Sequence, residues 1–360
     1  MSETTPVLSR RQALALAAGS AAAAAAAATL SPRRALAHPT TQPHQHTPKA
    51  SQGSGFYQLS LGNVQVTVLA DGTFPFDPPH PTNGTNATEP DFRQALSDAY
   101  VPFDQATGHV NALLVNTGKR LILIDAGCGP AFGPTAGLLQ KHLAVLGANP
   151  ADIDTVVLTH LHPDHIGGLL TDAGASWLPN ARFVMHETEH AFWSGDTPDL
   201  SKTAVPDGMK AGMTNAAQTA LKNIGDRVEL ITDKRTQLDP ALALYHCPGH
   251  TPGHTLVGLY GDAGQFGYMA DLIHFPAVQF ANPGWHVAFD VDPEEAADTR
   301  ARVLAYYAKS RKPLSGSHLP FPAVGHVAAH HDAYALVPAV WQWDTNASAP
   351  YQSKLPEAAE

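Results

Sequence analysis

The apolar tripeptide Val156-Val157-Leu158 runs straight into Thr159-His160-Leu161-His162-Pro163-Asp164-His165. A short apolar run of this kind reads as a buried strand. Three imidazoles and a carboxylate follow it at once, so the fold must bring the end of a buried strand to an edge where polar donors can gather. In extended chain, residues two apart face the same way, and His160 and His162 can therefore grip one ion. Pro163 turns the chain, which lets Asp164 and His165 face a second ion beside the first. Zinc accepts these nitrogen and oxygen donors. The bland alternative is a polar loop that happens to hold histidines; four donors at this spacing, directly after a buried strand, argue against it.

Two ions need more ligands than four, and three downstream residues sit at expected strand ends. His250 lies in Cys247-Pro248-Gly249-His250-Thr251-Pro252-Gly253-His254, where Pro and Gly clear room for a ligand. Asp271 follows Phe266-Gly267-Tyr268-Met269-Ala270, and its carboxylate has two oxygens with which to bridge two cations. His318 lies in Ser315-Gly316-Ser317-His318-Leu319-Pro320. Each alone carries little weight, because an isolated His or Asp is usually a surface or hydrogen-bonded group. As a set they count, in a chain with 20 histidines, imidazole being the commonest metal ligand.

Around this core the pattern predicts short strands in two groups, accompanied by helices. Tyr57–Leu61 and Val64–Val68 alternate about Gly62-Asn63, a hairpin signal. Residues 75–90 read as a loop. Val110–Val115 and Leu121–Ile124 read as strands joined through Thr117-Gly118. A helix is expected over Pro134–Gly147, with Pro near its start and Gly at its end. Further strands are expected at 182–185, 228–231, 242–246, 255–260 and 266–270, and helices at 187–194, 209–224 and 293–309. Such a pattern suits two sheets face to face with helices outside.

The His160–His165 segment, followed by distant His, Asp and His, resembles the metallo-β-lactamase superfamily over nearly all of the chain from Phe56 to Val340. The resemblance implies an α+β fold, an αββα sandwich with the metal site at one edge. It places His160, His162 and His250 on a first ion, Asp164, His165 and His318 on a second, and Asp271 as the bridge. Asp125, in Ile124-Asp125-Ala126-Gly127, matches the family's aspartate that orients a ligating histidine; Ala126 stands where the family usually has Thr or Ser. Within the superfamily the segments Phe132-Gly133-Pro134-Thr135, Thr159–Gly168, Ala277-Val278-Gln279-Phe280 and His318–His326 are similar to methyl parathion hydrolase and its lactonase relatives.

That resemblance implies a hydrolase with two divalent ions per chain, zinc first among zinc, manganese, cobalt and iron. A hydroxide bridging the ions would attack a carbonyl carbon or a phosphorus, with Asp164 and Asp271 as the catalytic carboxylates. Phe132, Trp193, His274, Val287 and Phe289 are the implied pocket residues. His274 and Phe289 depart from the organophosphate hydrolases, which carry aliphatic residues there. They favour a lactone or aryl ester as substrate, with phosphotriester cleavage as a side activity. The rivals are an organophosphate hydrolase proper, a glyoxalase-II-like thioesterase and a β-lactamase. The thioesterase reading lacks its helical C-terminal region after His318, and β-lactamases generally lack the bridging aspartate. Outside the enzymes, the alternative is a non-catalytic zinc-binding module, although structural zinc sites are closed and mostly Cys-rich.

One motif competes. His186-Glu187-Thr188-Glu189-His190 matches His-Glu-x-x-His, which works as a protease site only when both histidines share a helix face. His186 follows Arg182-Phe183-Val184-Met185, a strand-like run, so it should precede the helix. His254 and His326 flank the site motifs, either to tune the ligands or as loop histidines.

Composition sets the frame. Of 360 residues, 44% are hydrophobic and 15% charged, ordinary for a chain with a real core. A formal net charge of −10 does not favour nucleic acid as a partner; a small-molecule substrate is expected. Two cysteines, Cys128 and Cys247, are too few for a disulfide framework; sequence leaves their pairing open and offers neither a base. Ser9-Arg10-Arg11, the alanine-rich run to Leu30 and Ala35-Leu36-Ala37 resemble a twin-arginine export signal over residues 1–37. A periplasmic or extracellular enzyme is then expected, with no stable membrane association after cleavage. Residues 38–55 read as a disordered linker, and residues 56–355 as the catalytic domain. A homodimer is suggested only by likeness.

Overall fold

The computed structural model describes residues 53–170 and 176–341. The expected export signal and nearly all of the expected linker lie outside the described residues, as does the end of the expected catalytic domain, from 342 onward.

Two seven-stranded sheets carry the chain. The first runs in spatial order β1 (Phe56–Ser60), β2 (Gln65–Pro75), β3 (Thr107–Asn116), β4 (Leu121–Ile124), β5 (Thr155–Val157), β6 (Arg182–His186) and β7 (Val228–Ile231). Its first three pairings are antiparallel and its last three parallel. The second runs from β8 (Arg235–Asp239) through β9 (Leu242–His246), β10 (Thr255–Gly261), β11 (Gly264–Tyr268), β12 (Leu314–Ser315) and β13 (Gly325–His330) to β14 (Ala333–Pro338). It is antiparallel except between β11 and β12.

Why the central strands are continuously apolar follows from the layering. Alternate residues of a strand face opposite sides of its sheet. Leu113, Val115, Ile122, Ile124, Val157 and Val184 join an inner cluster that also takes Leu244, Val257, Leu259 and Tyr268 from the second sheet. Their neighbours Ala112, Leu114, Leu123, Val156 and Phe183 face the other way, into an outer cluster. A one-residue slip of any of these strands would exchange the two sets and lose both clusters.

Seven helices cover the sheets among the described residues: α1 (Glu89–Asp98), α2 (Leu139–Leu146), α3 (Pro163–Ile166), α4 (Glu187–Ser194), α5 (Asp207–Ile224), α6 (Pro276–Gln279) and α7 (Pro293–Ser310). α5 buries Met213, Ala217, Ala220 and Ile224 in the outer cluster, a helical stripe. The result is the expected αββα sandwich. None of the described helices is long and apolar enough to cross a membrane.

The structure corrects several local expectations. α1 occupies the end of the segment read as loop; Thr88 caps it by accepting from the Asp91 N–H. The helix expected over Pro134–Gly147 is only α2, because Gly137 takes a left-handed φ of 74° just before it. Gly147, also left-handed at φ 80°, ends that helix as expected. β11 stops at Tyr268, and Asp271 sits in a tight turn beyond it with Ala270 at φ 44°. Strands β8, β12, β13 and β14 have no counterpart in the sequence reading.

Candidate metal centre

β5 ends at Val157, and the chain continues along the sheet edge into the histidine segment. Asp125, just past the end of the neighbouring β4, holds that segment. Its Oδ1 accepts from the Thr159 N–H at 2.9 Å and its Oδ2 from the Thr159 hydroxyl at 2.9 Å. His162 then caps α3, with Pro163 in its first turn, and this single helical turn swings Asp164 and His165 round to face His160.

The hydrogen bonds fix which ring nitrogen is bare. Thr159 Oγ1 gives its proton to Asp125, so it can only accept from Nδ1 of His160, 3.1 Å away. The acceptors at the other Nδ1 atoms are Asp125 Oδ2 for His165 at 2.9 Å, Asp290 Oδ1 for His250 at 2.8 Å and the His109 carbonyl for His318 at 2.6 Å. When neutral, each of these four imidazoles therefore carries its proton on Nδ1 and leaves Nε2 as a lone pair. His162 differs: its Nδ1 lies 2.8 Å from Nε2 of His250, and its Nε2 is buried without a partner. The pair either shares one proton or, once that proton is lost, turns two lone pairs to the same point, where a cation would sit.

Three donor groups result among the described residues. His160, His162 and His250 form one; Asp164, His165, Asp271 and His318 form the second; His250, Asp271 and His274 form a third that overlaps both. Asp271 faces the first two. Its Oδ2 lies 3.7 Å from His160 Nε2, 3.5 Å from His250 Nε2 and 2.9 Å from His318 Nε2, and its Oδ1 lies 3.0 Å from His165 Nε2. Asp164 Oδ2 lies 3.5 Å from His165 Nε2 and 3.3 Å from His318 Nε2. Nε2 of His160 and His165 and Oδ1 of Asp271 are buried with no hydrogen-bond partner, the signature of a donor set built for cations rather than for itself.

Electrostatics divide the histidines: at His165 and His318 burial acts downward, but the carboxylates of Asp271 and Asp164 outweigh it and favour the charged form, whose extra proton a bound cation would displace. Burial, reinforced by neighbouring imidazoles, holds His160, His162 and His250 well below the ordinary histidine range, so they stay neutral ligands. At Asp271, burial acts upward but is overcome by His165, His318 and His160, and the carboxyl stays ionised. All the seven expected ligands are thus brought together, and Asp125 touches His165 as expected.

Three buried carboxylates that sequence reasoning missed support them. Asp290 holds His250, and its Oδ2 accepts from the Val287 N–H at 3.1 Å. Glu189 accepts from the Leu161 N–H, the Trp193 indole, the Thr251 hydroxyl and the Gly253 N–H, tying both histidine loops to α4. Asp71 is the extra residue of a bulge between β2 and β3. It accepts from the N–H groups of Cys128, Gly137 and Leu139, fixing the loop around Phe132 to α2. A buried acid is a visible signal in sequence only when its burial is known.

The remaining histidines sort themselves. His254 is buried; its Nδ1 donates to the Cys247 carbonyl at 3.1 Å and its Nε2 accepts from the Asp271 N–H at 3.2 Å, so it positions the bridge residue. Burial lowers it to about 4 and keeps it a neutral acceptor. His326 lies on β13 with its Nδ1 on the Arg311 carbonyl, away from these donors. His186 ends β6 and accepts from the Thr188 N–H, so it precedes the helix and the His-Glu-x-x-His pair shares no helix face. Both cysteines are free, and burial raises both thiols, Cys247 to about 11.

A cavity of about 200 Å³ opens on the donors and includes Asp164, Asp271, His250 and His318 in its lining. Phe132, His274 and Phe289 line it as expected, joined by Phe74, Phe76, Met209 and Met213. Trp193 and Val287 are not in its lining. Trp193 is fully buried with its indole on Glu189, and Val287 packs inward with its N–H on Asp290. His274 Nε2 lies 3.2 Å from Asp271 Oδ2 and its ring stacks on His318.

Comparison with known proteins gives the same picture. A family model for the metallo-beta-lactamase superfamily matches residues 106–318. The chain is 28% identical over 160 residues to N-acyl homoserine lactonase AiiB of Agrobacterium fabrum (strain C58 / ATCC 33970), covering 39% of this chain and 49% of that protein. It therefore spans about half the length of that curated relative. AidC, a dizinc quorum-quenching lactonase solved with its product, superposes with a TM-score of 0.75 at 28% identity, covering 80% of this chain and 99% of that one. The hydrolase AbOPH of the beta lactamase superfamily does so at 0.73 and 30% identity, covering 81% and 100%.

Proposed function

This chain belongs to the metallo-beta-lactamase superfamily, and from that premise we propose that it hydrolyses a lactone or aryl ester at two divalent metal ions, zinc first among them. The observation that carries the reading is Asp271, whose two oxygens face both groups of bare imidazole nitrogens. Support for the substrate class comes from AidC and AiiB, both lactonases.

Two divalent ions held there would supply Lewis acidity and a water of lowered pKa. The chain's own residues do the rest. His160, His162 and His250 would hold the first ion, Asp164, His165 and His318 the second, with Asp271 between them. Asp164 is the less buried carboxylate of the set and borders the cavity; burial acts upward on it, but His165 and His318 outweigh that and hold it ionised, as a ligand of the second ion needs to be. Phe74, Phe76, Phe132, Met213 and Phe289 give an apolar wall that seats an acyl or aryl group and keeps bulk water off the donors. The likeness of the His318–His326 segment to methyl parathion hydrolase makes a phosphotriester the natural comparison substrate.

The test is a hydrolysis panel on purified, metal-loaded protein with γ- and δ-lactones, aryl esters, a phosphotriester, a β-lactam and a glutathione thioester. Lactone or aryl ester turnover should dominate, vanish on chelation and return with zinc, with about two ions per chain. Phosphotriester turnover above that of every lactone overturns the substrate class. One tightly held ion with no turnover of any ester overturns the enzyme reading.

A further inference from the structure

A second cavity lies apart from the one at the donors, between α7 and strands β9, β10 and β11, with a volume of about 300 Å³. Its walls are the rings of Tyr245, Tyr260, Tyr306, Tyr307 and Phe266, with the Cys247 thiol beside them. Its volume stands at the lower end of small-molecule sites.

Two features show that this space is built. Gly258 on β10 pairs in register with Gly267 on β11. Paired glycines weaken a strand and mark a close approach from outside it. Here a Cβ at Gly267 would stand 1.8 Å from the Tyr307 hydroxyl, and one at Gly258 would stand 2.9 Å from the Tyr260 hydroxyl and 3.0 Å from the Tyr245 ring. The bare backbone therefore makes room for the tyrosines that form the walls.

The second feature is charge. Arg302 and Lys312 line the cavity and no Asp or Glu does, in a chain whose net charge is −10. Among the described residues neither cation has a carboxylate partner; Arg302 donates to Thr299 and Lys312 to the Tyr306 hydroxyl. Arg235 adds a third cation, 3.3 Å from the Tyr245 hydroxyl, which in turn contacts the Tyr260 hydroxyl. An apolar, aromatic interior with cations and phenols at hand matches a planar ring that carries an anionic group.

We propose that this cavity is a second binding site, separate from the metal centre, for a small aromatic carboxylate: the ring lies among the tyrosines and Phe266, and the carboxylate meets Arg302 and Lys312. The site abuts the loop that carries His250, because Cys247 bonds through its N–H to the His254 carbonyl at 2.8 Å.

Cys247 reports on occupancy. It is half-buried, whereas Cys128 is fully buried, so a thiol reagent on the metal-loaded full chain should modify Cys247 first. The probe is 2-naphthoate, with neutral 2-naphthylmethanol as control. Naphthoate should slow Cys247 modification, about tenfold at about ten times its dissociation constant, and the neutral analogue should protect at least tenfold more weakly. Val303→Phe, which fills the cavity from α7, should abolish protection and leave ester hydrolysis intact. If that variant does not fold, the surface pair Arg302→Gln with Lys312→Gln should weaken naphthoate and leave naphthylmethanol unchanged. No protection by millimolar naphthoate, equal protection by both probes, or protection that survives either set of substitutions overturns the proposal. The readout does not pass through hydrolysis, so it stands apart from the substrate panel.

Discussion

Nδ1 of His250 stands 2.8 Å from Oδ1 of Asp290, a residue with no exposed surface, whose other oxygen lies 3.7 Å from the buried guanidinium of Arg300. The pair fixes both the tautomer and the direction of His250, which reaches the donor group from a different sheet than His160 and His162 do. Asp290→Asn can keep an oxygen towards His250, but it loses the charge and turns an amide N–H towards the Val287 N–H. The expected outcome is affinity for the first ion about tenfold to a hundredfold weaker, with the second ion unaffected, read by chelator competition. Equal loss at both ions would show a general loosening of the fold instead.

Glu189 makes four hydrogen bonds, at 2.6 to 3.0 Å, to groups on three segments of chain. Glu189→Gln replaces one acceptor oxygen with a donor that faces donors. Leaving buried groups unpaired costs about 2–3 kcal/mol, so the metal-free protein should melt several degrees lower. Calorimetry on the metal-free form keeps this effect separate from ion loss. An unchanged melting temperature would mean the two loops are held by other contacts.

Asp154 accepts from Arg120 at 2.8 Å, from the Leu121 N–H at 3.1 Å and from Thr155 at 2.7 Å, clamping the start of β4 to β5. Burial acts upward on this carboxyl, but the hydrogen bonds from Thr155 and Arg120 outweigh it, and its pKa lies below the usual aspartate value. A depressed carboxyl stabilises the fold above its unfolded pKa, about 3.9, and that stability is lost as pH falls through the folded value. Asp154→Asn should therefore cost about 1 kcal/mol or less at neutral pH, since the pair is partly exposed. Denaturant melts at pH 7 and below pH 3 should show the difference shrinking in acid; a difference that grows in acid contradicts the assignment.

Phe289 lines the cavity at the metal centre. Phe289→Ala removes apolar contact worth about 1–3 kcal/mol for a substrate that touches it. For a small lactone or aryl ester the expected change is a rise in KM of about tenfold or more with little change in kcat, the mark of lost uniform binding. A fall in kcat at constant KM would place Phe289 in the alignment of the reacting group instead.

How much of this was legible in the sequence depends on the range of each interaction. The strand into His160, the hairpin at Gly62-Asn63 and the stripe along α5 were readable, because backbone geometry sets their periods of two and of 3.6. α1 was missed where a Pro/Asn/Thr-rich stretch masked its cap at Thr88. β13 and β14 were missed because β14 is an edge strand and both strands end on exposed residues, which leaves no clear apolar pattern. Trp193 was expected in the pocket, although its side chain is spent on Glu189.

The sequence by itself determined the local half of the metal centre: His160, His162, Asp164 and His165 lie close because a strand end and one proline-started helical turn are covalently short. What only the tertiary structure decided is the other half and everything that aims it. His250 lies 88 residues beyond His162, Asp271 106 beyond His165 and His318 154 beyond Asp164, and they meet because two sheets stack their inner faces and bring their strand ends to one edge. Asp290, Glu189 and Asp71 became visible only with burial, since a carboxylate acquires its role from the donors that surround it and no spacing along the chain encodes those.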